Sequence, residues 1–321
     1  MSDDPQMPET RPRVFDAPPD NWADRYAPKA ALPFLRLSRA DRPIGTWLLL
    51  LPCFWGIALA ALEGGFRRWD VWLAVSCAVG AFLMRGAGCT WNDISDRHLD
   101  ASVARTRNRP LPSGQVNVRQ ALIWMVIQSL IAAVILFSYN RLAILLGVGS
   151  LGLVAIYPFA KRFTWWPQVF LGLAFNWGAL LAFAAHSGRI DGPAVLLYGA
   201  GIAWTLYYDT IYAHQDKEDD ALIGVKSTAR LFGDQTRRWL WLFIAATVIL
   251  MGLAALLAMS DRANPLQLVL ALGGIWAFGW HMSWQMRGLD LDNPASCLKT
   301  FRANRNAGFI PALFLAIAAL A

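Results

Sequence analysis

Two groups of carboxylates stand out among the 22 Asp and Glu of this chain. WNDISDRHLD carries Asn92, Asp93, Asp96 and Asp100, and YDTIYAHQDKEDD carries Asp209, Asp216, Glu218, Asp219 and Asp220. On a continuous helix 93, 96 and 100 share one face, and so do 209, 216 and 220. Carboxylates held that close repel one another unless a hard divalent cation such as Mg²⁺ takes their oxygens. Each group is followed by bases: Arg105, Arg107 and Arg109 in RTRNRPLPSG, and Lys226 in GVKSTAR. Acids that hold a metal, with Arg and Lys for the oxygens left over, are suited to gripping a diphosphate. The ordinary alternative is solvated loop charge at a membrane face. The matching 96/100 and 216/220 pairs, each following an apolar run, argue against it. The acids are expected at polar loop edges, outside the core.

The elements that must position these groups are membrane spans. Of 321 residues, 56% are hydrophobic and 16% charged, which excludes an ordinary water-soluble enzyme, in which about a quarter are charged. Sixteen Trp fit repeated crossings of a bilayer interface. Segmentation at charges and Pro/Gly clusters predicts nine spans, at 44–62, 69–91, 118–138, 142–160, 165–185, 192–212, 238–258, 265–285 and 301–321. Connections on the N-terminal side then carry 23 of the 29 Lys and Arg, and those on the other side carry five, which sets the N-terminus in the cytoplasm. The net charge of +7 reflects this topology and anionic lipid, and no nucleic-acid partner is expected. Residues 1–31 read as a polar, Pro-rich tail without a cleaved signal, and 32–321 as the transmembrane domain. The four Cys (53, 77, 89, 297) and four His (98, 186, 214, 281) show no metal-ligand spacing, and the Cys read as small buried hydrophobes.

Arg85 lies seven residues before Asn92, on the same face and two turns deeper; a buried Arg in lipid usually faces a cavity, which favours ligand contact over a structural ion pair. Asn176, mid-span, reads better as an interhelical hydrogen bond than as a substrate contact.

The pattern NDxxDxxxD followed by RxRPL, and the later DxxYxxxDxxxD followed by KST, resemble the two aspartate-rich motifs of the UbiA-type intramembrane aromatic prenyltransferases. DRPIGTWLLLLPCFWG (41–56) and RGAGCTWNDISDRHLD (85–100) resemble more specifically the 4-hydroxybenzoate polyprenyltransferases of ubiquinone synthesis. The resemblance runs from about residue 32 to the C-terminus. It implies an all-α, polytopic membrane protein, with nine helices around a central cavity open to lipid and cytoplasmic loops that carry the motifs. It further implies transfer of a polyprenyl group from polyprenyl diphosphate to 4-hydroxybenzoate, ortho to the hydroxyl, with Mg²⁺ as cofactor and membrane lipid around the prenyl tail.

On this reading Asp93, Asp96, Asp100, Asp209, Asp216 and Asp220 are catalytic. Asn92, Asp93, Asp96, Asp100, Asp216 and Asp220 hold metal. Arg42, Arg85, Asn92, Arg105, Arg109, Tyr157, Lys161, Tyr212 and Lys226 bind substrate. Arg42 is a candidate for the aromatic carboxylate, with snorkelling to the interface as its alternative. Tyr157 and Lys161 match the family's YxxxK element, an interfacial anchor being the alternative. The expected location is a bacterial cell inner membrane. A different aromatic or quinone-precursor acceptor, or a membrane transporter, remains an alternative function.

Overall fold

The computed structural model describes residues 17–18, 21–102, 106–222, 224–260 and 264–321, and among these every regular element is helical. Two short helices, α1 (Trp22–Tyr26) and α2 (Leu32–Leu37), precede α3 (Ile44–Gly64), α4 (Trp69–Ser102), α5 (Val118–Leu136), α6 (Arg141–Phe163), α7 (Pro167–Ser187) and α8 (Gly192–Ala213). The short α9 (Lys217–Leu222) and α10 (Thr228–Phe232) follow, then α11 (Thr236–Ala258), α12 (Pro265–Arg287) and α13 (Pro294–Leu320).

Among the described residues eight helices are long and apolar enough to cross a membrane, one fewer than the nine spans expected. The helix that does not qualify is α8, although it is 22 residues long. It carries Tyr198, Trp204, Thr205, Tyr207, Tyr208, Asp209, Thr210 and Tyr212, and it packs against α3, α7, α11 and α13. A helix surrounded by protein can carry hydroxyls and rings that a lipid-facing helix would have to replace with aliphatic side chains. Two other expectations are corrected. Helix α4 runs on through the first acid group to Ser102, and α13 begins at Pro294, seven residues before the expected 301.

The chain forms two compact units. One comprises Met1–Pro43 and Arg85–Ser129, the other Ile44–Met84 and Leu130–Ala321. In the first unit α1 is capped by Asn21, whose side chain accepts from the Asp24 N–H at 2.9 Å. It is tied to α2 by the Arg36–Asp24 ion pair (3.0 Å), and to the turn after α2 by Trp22, whose Nε1–H donates to the Ala40 carbonyl at 2.8 Å. Leu37, Ile94, Val116 and Ala121 form the unit's apolar centre. Ser38 accepts from Trp124 Nε1 at 2.8 Å and donates to Gln128 Oε1 at 3.1 Å. Gly86 makes room for this contact, since a Cβ there would meet Gln128 Oε1 at 2.0 Å.

The second unit is centred on Trp55, Trp204 and Phe278, all fully buried, with Trp55–Trp204 centroids 4.9 Å apart. Lipid tails are as apolar as these side chains, so packing and polar contacts must hold the helices together. Small residues permit close approach, and the indoles find acceptors. Trp55 Nε1 donates to the Gly308 carbonyl at 2.8 Å and Trp204 Nε1 to Asn304 Oδ1 at 3.0 Å. Asn176 donates to Thr205 Oγ1 at 2.8 Å across α7 and α8, the interhelical bond its mid-span position suggested. All four Cys are free and buried.

Candidate active site

The first acid group lies on the C-terminal end of α4, and the continuous helix gives Asp93, Asp96 and Asp100 the shared face that their spacing requires. They are not at a solvated edge. Asp93, Asp96 and Asp100 are 0%, 1% and 8% exposed, which corrects the expectation that they lie outside the core. The reason is tertiary: the turn after α2 and the segment from Thr106 onward meet this end of the helix. Thr106 Oγ1 donates to the Asp100 carbonyl at 2.7 Å. Arg109 Nη1 bridges two of the acids, at 2.8 Å from Asp100 Oδ2 and 3.5 Å from Asp93 Oδ1.

Asp93 has a second cation that sequence reading missed. Arg39 Nη2 lies 2.5 Å from Asp93 Oδ1, and both side chains are buried. Burial, the largest single influence, lowers the Arg39 pKa, but Asp93 together with its other neighbours, Asp41 among them, offsets it and holds the guanidinium above its ordinary value. The signal available was a run of charges in LRLSRADRP just before an apolar span. Asp41, in that same run, is 1% exposed and accepts from Arg42 Nε at 3.3 Å. Arg42, Arg85 and Asn92 are half-buried in this unit. Arg105 lies outside the described residues.

The second acid group belongs to the other unit and departs from the expected continuous stripe. Helix α8 ends at Ala213, a 3₁₀ turn covers His214–Asp216, and α9 follows, so 209 and 216 are not on one uninterrupted helix. Hydrogen bonds to the KST segment accompany this break. Thr210 and Thr228 hydroxyls are 2.7 Å apart, Ser227 caps α10 by accepting from the Arg230 N–H, and Arg230 Nη1 donates to the Asp220 carbonyl at 3.2 Å. Burial pushes the His214 imidazole down to about 4, so it is neutral near pH 7 and adds no positive charge beside Asp216.

Lys226 meets the end of α6. Its N–H donates to the Lys161 carbonyl at 3.2 Å, and its Nζ donates to the Phe163 carbonyl at 3.5 Å. Lys161, Lys226 and Tyr157 are thus gathered at the C-terminal end of α6, with Tyr157 one turn before Lys161. Tyr212 stacks obliquely on Phe301, centroids 4.4 Å apart, a partner the sequence did not reveal. Asp209, Asp216, Asp220 and Tyr212 are all half-buried.

Among the described residues no three His, Cys, Asp or Glu side chains converge as a preformed metal cage. That arrangement still suits Mg²⁺, which commonly takes one or two carboxylates and completes its shell with water and substrate phosphate. Asp93 fits such a role: Oδ1 is held by arginine while Oδ2 is buried with no hydrogen-bond partner. A buried carboxylate oxygen left unsatisfied is costly unless a ligand completes it.

Residues 49–315 match the UbiA prenyltransferase family. The chain is 48% identical to the mitochondrial 4-hydroxybenzoate polyprenyltransferase of Aedes aegypti, over 89% of this chain and 62% of that one. It thus spans less than two thirds of the length of that relative. It is 47% identical to the Mus musculus protein of the same name, over 91% of this chain and 75% of the other. The Homo sapiens protein of that name is 45% identical over 98% and 81%. Among solved structures, a UbiA homolog from Aeropyrum pernix K1 superposes with a TM-score of 0.64 at 24% identity, covering 84% of this chain and 97% of that one. A UbiA homolog from Archaeoglobus fulgidus bound to GPP and Mg²⁺ gives 0.62 at 22%, covering 89% and 98%. The expectation of a bacterial cell inner membrane is overturned, because these relatives are named as mitochondrial proteins. The charge bias read from the sequence bears on the orientation of spans and does not name the organelle. With most of its length matched, and with relatives of 45–48% identity carrying one name, the chain belongs to the UbiA prenyltransferase family.

Proposed function

We propose that this chain transfers a polyprenyl group from a polyprenyl diphosphate to the ring of 4-hydroxybenzoate, ortho to the hydroxyl. The observation that carries this reading is the state of Asp93, a fully buried carboxylate with one oxygen clamped by arginine and the other unsatisfied. The names of the mitochondrial relatives and the GPP and Mg²⁺ bound by the A. fulgidus homolog support it.

When bound, Mg²⁺ neutralises the diphosphate and makes it a better leaving group. In the one unit Asp93, Asp96 and Asp100 with Asn92 would supply hard oxygen donors to such an ion; in the other Asp216 and Asp220 would do so, and Asp209 completes that second acid motif. Arg109, Arg105 and Lys226 take the remaining phosphate oxygens, with Tyr157, Lys161 and Tyr212 as further substrate contacts. The allylic C–O bond breaks with both electrons leaving on the diphosphate. The ring carbon beside the hydroxyl then bonds to the allylic carbon, and the ring proton passes to a base, the departed diphosphate or a nearby carboxylate. Buried rings such as Trp204 and Tyr208 keep water from a cation that it would quench. Arg42 holds the acceptor carboxylate, Arg85 meets charge nearer the reacting carbon, and the prenyl tail lies in lipid.

The test supplies purified protein with Mg²⁺, a labelled prenyl diphosphate and a panel of 4-hydroxybenzoate, homogentisate and a hydroxynaphthoate. A labelled C-prenyl 4-hydroxybenzoate is the expected product. Prenylation of another panel member alone would replace the acceptor, and no product from any would sink the reading.

A further inference from the structure

We infer that Arg39, which lies outside both acid motifs, is a positioning residue that fixes Asp93 so that Oδ2 faces the metal-bound diphosphate. The inference rests on the function proposed above. Arg39 sits in the tight turn after α2, where Ala40 N–H donates to the Leu35 carbonyl at 2.9 Å and Arg42 N–H to the Arg39 carbonyl at 3.1 Å. Its φ is +57°, the one positive φ of a non-glycine residue among those described. Arginine has no intrinsic reason to occupy the left-handed region, and such backbone persists where the surroundings over-determine it.

The guanidinium is held at two points. Nη1 donates to the Arg36 carbonyl at 3.1 Å, and Nη2 meets Asp93 Oδ1 at 2.5 Å across 54 positions of sequence. The turn itself is anchored, since Trp22 binds the Ala40 carbonyl and Ser38 links to Trp124 and Gln128. A planar fork fixed at both ends allows its carboxylate little rotation. It also occupies Oδ1, so one oxygen of Asp93 remains for a ligand. Arg109, at 3.5 Å from Oδ1, is too far to set that orientation alone.

Three variants in detergent or nanodiscs test this. Arg39→Asn keeps a side chain that tolerates the left-handed backbone and removes the clamp. It is expected to raise the half-saturating Mg²⁺ concentration about tenfold or more and to lower kcat, while leaving KM for the aromatic acceptor within about twofold. Arg39→Lys keeps the charge and loses the fork; a shift of about three- to tenfold is expected. In an Asp93→Asn background, Arg39→Asn should cost nothing further, because its effect passes through Asp93. A folded R39N with wild-type Mg²⁺ dependence overturns the inference, as does a full additive loss on top of D93N. Should R39N not fold, a folded R39K with wild-type Mg²⁺ dependence overturns it. An impaired D93N beside an unaffected R39N rejects only this role for Arg39, whereas full turnover in D93N rejects the proposed function as well.

Discussion

Arg109 reaches Asp100 at 2.8 Å and Asp93 at 3.5 Å, so one guanidinium spans two of the three acids of the first motif. The arginine of the RxRPL element, read from sequence as a phosphate ligand, is therefore also the counter-charge that allows these carboxylates to be buried together. Replacing Arg109 by Ala removes the cation that these two buried acids share and leaves Asp93 with Arg39. The expected result is a loss in kcat/KM for the prenyl diphosphate of on the order of 1.5–3 kcal/mol, the range for a hydrogen bond to a charged group, with Lys recovering part of it. Steady-state kinetics at saturating acceptor checks this, and an unchanged kcat/KM would remove Arg109 from the site.

Metal removal should abolish turnover. Carboxylates alone repel a diphosphate, so EDTA-treated protein is expected to be inactive and to recover with added Mg²⁺ or Mn²⁺. Full turnover in chelator would leave no role for the acid groups as metal ligands.

The four single variants Asp93→Asn, Asp96→Asn, Asp216→Asn and Asp220→Asn are each expected to lose most turnover. They should differ in stability. Asp93 is wholly buried against Arg39, so Asp93→Asn strands a buried guanidinium, a change that typically costs 3–5 kcal/mol. Asp216 and Asp220 are half-buried, and their variants should melt close to wild type. Thermal unfolding in one detergent separates the two classes; equal melting across all four would mean that the Arg39–Asp93 pair contributes little to the fold.

The spans were legible because bilayer thickness leaves a crude and strong signature: predicted starts at 44, 69, 192 and 265 coincide with those of α3, α4, α8 and α12. What misled was charge used as punctuation. Lys299 was left in the loop before the expected start at 301, yet it lies on α13, whose first turns need not be apolar where they leave the hydrocarbon. The acids of the first group were legible as a stripe but not as buried, since burial depends on a turn some 54 residues earlier in the chain. Arg39 was illegible for the same reason: its partner is set by tertiary structure. The interruption after Ala213 was hidden as well, because the Thr210–Thr228 and Arg230–Asp220 contacts that accompany it cross a loop.

Arg42 and Arg85 should separate in kinetics. A carboxylate remote from the reacting carbon is bound about equally in ground and transition states, so Arg42→Ala is expected to raise KM for the aromatic acid and leave that of the prenyl diphosphate nearly unchanged. With Arg85 in its proposed role beside charge that develops during ionisation, Arg85→Ala should lower kcat more than it raises either KM. An Arg42→Ala enzyme weakened only toward the prenyl donor would reverse the first assignment, and an unchanged kcat in Arg85→Ala would end the second.

The close packing of α3 on α7 gives a prediction about stability alone, with an internal control. A Cβ placed on Gly56 would lie 2.4 Å from the Ala179 carbonyl oxygen, a backbone atom that cannot swing aside. Gly56→Ala therefore forces the two helices apart, and overpacking of this kind costs about 1–3 kcal/mol. Helix propensity works the other way, favouring Ala over Gly by roughly 1 kcal/mol. The two effects separate at Gly80 in α4, where an added Cβ meets nothing within 4 Å. Gly80→Ala should thus hold or raise the melting temperature while Gly56→Ala lowers it. Thermal denaturation of both variants in the same detergent decides the matter, and a Gly56→Ala protein as stable as Gly80→Ala would show that the α3–α7 contact is loose enough to absorb a methyl group.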